Sequence, residues 1–222
     1  DRVRRTLWAT SALTLVQAAV LFGAAGRLDL PAFWIYLALV TVPVLASLPA
    51  LRRRSPGLLE ERARPAASGR DRVGEAVLGL GTAATWLVAG LDAGRFAWTH
   101  VGAAGQVVAM IGAALGVAWT GWAMWVNPFF SSVVRLQSDR AQTVIATGPY
   151  AHVRHPGYTG GIVFSLCSGP ALGSWWAALP MLAAIVAMIR RTAVEDAMLQ
   201  DGLAGYRDYA RTVRFRLVPG LW

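Results

Sequence analysis

The chain contains no lysine, one cysteine, three histidines and only 15% charged residues in 222 positions. With Cys167 unpaired, a disulfide scaffold is excluded. With so little charge and 55% hydrophobic residues, disorder is excluded as well, because that much apolar surface does not stay solvated. Among the histidines, His152 and His155 lack nearby carboxylate, cysteine or further histidine ligands, so no metal site is expected. The formal charge of +9 does not point to nucleic acid, since its arginines fall in clusters between long apolar runs.

What the chain has is apolar length, with ten tryptophans and a mean hydropathy of +0.46. A bilayer is crossed by about 20 apolar residues. Six such stretches can be marked out: Thr6–Gly26, Pro31–Ala50, Val73–Leu91, Val101–Val126, Gly157–Leu172 and Trp175–Ile189. The fold class predicted is all-α, a polytopic transmembrane helix bundle of about six spans. The last two stretches are short, so a five-span arrangement with one re-entrant segment is the alternative. Pro43 and Pro49 are candidate kinks in the second span, and Gly112 and Gly116 read as helix-packing glycines. Glu75, near the start of the third span, reads as an acid that snorkels to the interface.

Arginines gather in cytoplasmic loops. With six spans and a cytoplasmic N-terminus, nineteen of the 21 arginines fall inside, leaving Arg27 and Arg95 outside. Both termini are therefore expected in the cytoplasm, with an Arg-rich cytoplasmic loop at 51–72. The first span begins basic like a signal peptide, but it leads straight into a second span and is expected to be retained. The chain divides into two regions: residues 1–126, holding four spans, and 127–222, holding a cytoplasmic cofactor-binding region, a transmembrane hairpin and a basic tail.

Polar residues with unusual local order concentrate in 127–158 and 190–222. Pro156 disfavours helix at His155 and suits a first helical turn, so a helix should begin there with its N-terminus open to the cytoplasm. The free amides of Gly157 and Tyr158, with Arg154 beside them, would bind a carboxylate or phosphate. Tyr150 and Tyr158 offer faces for an aromatic group or a sulfonium cation. That set suits S-adenosylmethionine; the plainer reading is a helix start at a membrane interface. Farther on, Arg191 and Glu195 lie four apart on one helix face, either as a simple ion pair or as separate ligand contacts, with Glu195 taking an amine or ribose and Arg191 an anionic substrate. The basic, aromatic tail from Gly205 onward should cap the site or lie on anionic lipid.

At these segments the chain resembles the isoprenylcysteine carboxyl methyltransferase family and its bacterial relatives, which group with phospholipid methyltransferases. The residues concerned are Gly148-Pro149-Tyr150, Arg154-His155-Pro156 with Tyr158 and Gly160, Arg191 with Glu195-Asp196, Tyr206 with Tyr209, and Pro219. The resemblance spans about 127–222. It implies an integral-membrane S-adenosylmethionine-dependent methyltransferase acting on a lipidic or prenylated acceptor, by carboxylate O-methylation or lipid amine N-methylation. By motif position it implies cofactor contacts at Gln137, Gln142, Thr143, Val144, Ile145, Tyr150, His155, Pro156, Gly157, Tyr158 and Glu195, and substrate or catalytic roles for Arg191 and Arg154. Gln142 stands where family members often have histidine. The rivals are an NADPH-dependent membrane reductase of the sterol reductase type and a non-catalytic membrane protein. The arginine-only, Ala- and Gly-rich composition points to a GC-rich bacterial genome, hence a bacterial inner membrane.

Overall fold

The computed structural model describes residues 2–62 and 72–222, and the described residues form helices, turns and loops without a strand. Arg64 and Arg70 of the expected cytoplasmic loop lie outside them. Four long helices dominate: α1 (Arg2–Ala25), α2 (Pro31–Arg54), α4 (Arg72–Ala89), which continues as a π-helix over Gly90–Phe96, and α5 (Ala103–Val126). These four are long and apolar enough to cross a membrane by length and composition, so the protein belongs in a lipid bilayer. The remaining helices are α3 (Pro56–Arg62), α6 (Pro156–Ala171), α7 (Ala178–Gly202) and α8 (Tyr206–Thr212).

Local chemistry explains several boundaries. Pro31 begins α2 at the position where its missing N–H costs nothing, and Arg52, Arg53 and Arg54 close the helix where its dipole favours positive charge. Pro43 and Pro49 sit inside α2 without ending it. The third span is longer than the sequence suggests, because α4 runs on through the π-turn to Phe96. The segment expected as a loop at 51–72 contains α3, whose Leu58 and Leu59 bury against Leu48 and Leu51 of α2.

The last two predicted spans differ most. Helix α6 has 16 residues, about 24 Å at 1.5 Å per residue and short of a 30 Å hydrocarbon core. Helix α7 starts later than expected, at Ala178, and runs 13 residues past Ile189, carrying Arg191, Glu195 and Asp196 on that extension. Helix α6 packs on α5, and α7, at 25 residues, packs on α4. A Cβ added at Gly116 of α5 would come within 2.6 Å of the Gly160 carbonyl oxygen of α6, so the two backbones touch where neither residue has a side chain. Gly81 of α4 similarly faces the Pro180 carbonyl and Ala184 of α7. Gly173, at φ +83°, makes the turn between α6 and α7, a backbone conformation that favours glycine.

The bundle has two unlike ends. At one, the C-terminal ends of α2, α5 and α7 meet the N-terminal ends of α4 and α6, tied by Arg135–Glu61 at 2.6 Å and Arg191–Glu75 at 3.1 Å. At the other, Asp92 of the π-turn, fully buried, accepts hydrogen bonds from Ser174 and Thr99 and so fastens α4 to the α6–α7 turn.

Candidate active site

A cavity of about 820 Å³ lies at the arginine-rich end, within the ~300–1,000 Å³ range typical of small-molecule pockets. It is lined by the 129–145 loop, the starts of α4 and α6, the extension of α7, and α8. Its far end is apolar, formed by Leu78, Gly79, Ala83 and Trp86 of α4 with Leu13 and Val16 of α1. Leu13 and Val16 are 58% and 55% exposed, so this end opens sideways on the outer face of the bundle.

The start of α6 forms as the sequence predicts, with Pro156 in its first turn and His155 non-helical at φ −125°, ψ 60°. The amides there are differently used. The N–H groups of Tyr158 and Thr159 both donate to the His155 carbonyl, at 3.1 and 3.2 Å, which leaves Gly157 as the cavity-lining amide of this helix start. The backbone N–H groups of Arg154 and His155 donate to the carbonyls of Phe215 and Arg216, so the C-terminal tail folds back against the start of α6.

Arg154 lines the cavity, but its guanidinium is committed elsewhere. It donates twice to Asp196, at 2.8 and 3.1 Å, and to the carbonyls of Val213 and Arg214, both at 2.9 Å. The free positive charge expected beside the helix start is absent, because Asp196 is an opposite charge within reach. Asp196 is a hub: wholly buried, it also receives Arg216 at 2.9 Å, Gln200 at 2.7 Å and the Tyr206 hydroxyl at 3.1 Å, and it lies 3.2 Å from His155 Nε2. Burial alone would raise its carboxyl, but the hydrogen bonds from His155, Arg154 and Arg216 outweigh that and hold it well below the usual carboxylate range. The same carboxylate, together with burial, pushes the Tyr206 phenol upward, burial being the larger effect.

A second polar chain crosses the cavity wall. The Tyr158 hydroxyl donates to Glu195 Oε2 at 2.7 Å and accepts from Arg191 Nε at 2.9 Å. Of the two readings for Arg191 and Glu195, the simple ion pair one turn apart does not form. Arg191 spans instead to Glu75 of α4 and to the Ser132 carbonyl. Glu75 therefore does not snorkel: its side chain is 12% exposed, it lines the cavity, and its fixed position results from the buried guanidinium facing it.

The loop residues are held from within. The Gln137 N–H donates to Gln142 Oε1 at 2.8 Å, Gln137 Nε2 donates to the Phe129 carbonyl at 2.7 Å, and Arg140 donates to Gln137 Oε1. Gln137 thus spends its amide on shaping the loop, leaving Thr143, Val144 and Ile145 along the cavity. Tyr150 accepts from Asn127 at 2.9 Å, and Tyr209 donates to the Tyr150 carbonyl at 2.7 Å.

Of the thirteen site residues expected from sequence, twelve line this one cavity: Gln137, Gln142, Thr143, Val144, Ile145, Tyr150, Arg154, His155, Gly157, Tyr158, Arg191 and Glu195. Pro156 does not; it starts the helix and is buried behind it. Residues not assigned to the site from sequence include Glu75, Asn127, Met188, Leu199, Tyr206 and Tyr209. The tyrosine pair was visible as a motif. Glu75 was visible as an acid at the start of a span, but its partner lies 116 residues away, so the sequence led to snorkelling instead.

Each lining arginine has a carboxylate partner: Arg135 has Glu61 and Asp139, Arg154 has Asp196, which Arg216 shares, and Arg191 has Glu75, while Glu195 accepts from the Tyr158 hydroxyl. No curated protein matches the chain. The model of the isoprenylcysteine carboxyl methyltransferase (ICMT) family, a family of methyltransferases, matches residues 107–201, from α5 through α7. Over residues 107–201 the chain is therefore similar to the isoprenylcysteine carboxyl methyltransferase family.

Proposed function

We propose that the protein is an integral-membrane S-adenosylmethionine-dependent methyltransferase whose acceptor is lipidic. The observation that carries this reading is the single cavity with two unlike ends, polar at Tyr150, Tyr158 and Glu195 and apolar at Leu13, Val16 and Trp86. A water-soluble cofactor and a lipid can enter it from different phases and meet inside.

S-adenosylmethionine supplies a methyl group activated by a positively charged sulfur. The protein has to bind, orient and exclude water. Tyr150 and Tyr158 present aromatic faces to a cation, and Tyr158 is held in place between Arg191 and Glu195. Glu195 has a second oxygen for a ribose or amine, and the Gly157 amide at the positive end of α6 suits a carboxylate. Arg154 and Asp196 act as positioning residues, bracing His155 and the tail beneath the pocket. In this reading residues 127–222 form the cofactor half, while α1 and α4 supply the acceptor wall.

Helices α6 and α7 serve as the fifth and sixth spans. Their support is the length of α5 and α4 packed along them, which shields a short helix from lipid. The arginine-rich end, with the cavity and both chain termini, faces the cytoplasm of a bacterial inner membrane, on the strength of the arginine distribution.

Titration of the detergent-purified chain with S-adenosylhomocysteine, with NADPH as rival ligand, tests the assignment. Saturable S-adenosylhomocysteine binding is expected, weakened about tenfold by Tyr158→Phe and by Glu195→Gln, the equivalent of about 1.4 kcal/mol. Binding of NADPH alone, or of neither ligand, overturns it.

A further inference from the structure

We infer that Glu75 receives the head group of the acceptor and that this head group is an amine. The inference rests on the methyltransferase reading above and names its substrate class. Glu75 Oε1 lies 3.1 Å from Arg191, but Oε2 is buried, and among the described residues no hydrogen-bond donor reaches it. A carboxylate oxygen shut away from water without a donor is costly, and native structures avoid it unless a ligand supplies the donor. Glu75 lines the cavity on the same helix as Leu78, Gly79, Thr82 and Trp86, at the cytoplasmic end of that row in our orientation. A lipid chain lying along those residues brings its head group to Glu75.

Charge selects the head group. Arg191 is already paired with Glu75 and also donates to the Tyr158 hydroxyl and the Ser132 carbonyl, and the other lining arginines are paired with Glu61, Asp139 and Asp196. A carboxylate acceptor would meet guanidinium groups that each already hold a carboxylate, and would sit against the bare oxygen of Glu75. An ammonium supplies the missing N–H and the missing positive charge. The same contact serves the reaction. The ammonium passes one proton to Glu75 Oε2, nitrogen keeps that bond's electron pair and uses it to form the N–C bond, and the C–S electrons leave with sulfur in the thioether product. Glu75 then returns the proton to water, with no oxidant or reductant needed.

The test uses the full chain in detergent with two probes of equal tail, dodecylamine and dodecanoate, titrated calorimetrically against an empty-micelle blank. Dodecylamine should bind about tenfold more tightly than dodecanoate, and Glu75→Gln should reduce that preference below about twofold while Glu75→Asp keeps it. S-adenosylhomocysteine binding, measured in parallel on the wild type, reports on the methyltransferase reading separately. Equal or tighter binding of dodecanoate overturns the amine assignment, as does a preference that survives in Glu75→Gln. Should that variant not fold, the two probes on the wild-type chain decide.

Discussion

Two aspartates, Asp92 and Asp196, are each wholly buried, at opposite ends of one helix bundle, and their surroundings differ in kind. Asp92 is satisfied by neutral donors, the Thr99 N–H at 2.7 Å and the hydroxyls of Thr99 and Ser174. Those hydroxyls accept in turn from the N–H groups of Trp175 and Ala177, both at 3.0 Å, so the cluster is complete in itself. Asp196 is satisfied by two guanidinium groups, an imidazole and a phenol, three of which also border the cavity. One carboxylate closes an end of the molecule. The other organises an end that stays open, where Glu75 keeps an oxygen that no donor among the described residues reaches.

The sharpest way to break this contrast is Asp196→Ala. It leaves Arg154 buried without its counter-charge, so a loss of about 3–5 kcal/mol in chemical unfolding is expected, together with loss of S-adenosylhomocysteine binding. Asp92→Ala should cost less, about 1.5–3 kcal/mol for hydrogen bonds to a charged group, and should leave S-adenosylhomocysteine affinity unchanged. If Asp92→Ala weakened that affinity as strongly as Asp196→Ala, the two ends would not be separate in role.

The smallest effect is a titration. The Asp196 carboxyl is held below its ordinary range in the folded chain, so its stabilisation is fully present above the unfolded value of about 3.9 and is lost as pH falls from there through the folded value. The melting temperature in detergent should therefore decline as pH drops from about 5 toward 3, and Asp196→Asn should flatten that decline. A decline just as steep in the variant would assign the acid sensitivity to other carboxylates.

Much of this architecture was legible in the sequence for physical reasons. Long apolar runs bounded by arginine or proline mark helices, and the Pro156 start of α6 is a local property of the chain. The clustering of Tyr150, Tyr158 and Glu195 was legible through motif spacing rather than through any local rule. What sequence could not supply was pairing across distance. Arg191 sits four residues from one glutamate and 116 from another, helical spacing favours the near one, and the distant Glu75 holds the guanidinium. Arg154 looked like a free cation because its partner, Asp196, lies 42 positions on and reaches it only after α6 and α7 have folded against each other. Asp92 carried no signal at all, since an acid near a predicted helix end reads as solvent-exposed until the α6–α7 turn covers it.

Helix α4 and the π-turn at Gly90–Phe96 that continues it reach both ends of the bundle. Glu75, Leu78, Gly79, Thr82 and Trp86 recur at helical spacing and share one stripe. At about 100° of rotation per residue, Asp92 falls off that stripe if the helix continues regularly. Asp92 sits within the widened coil itself, so one uninterrupted rod carries both the row that borders the ligand chamber and, farther along, the acid that latches the opposite end.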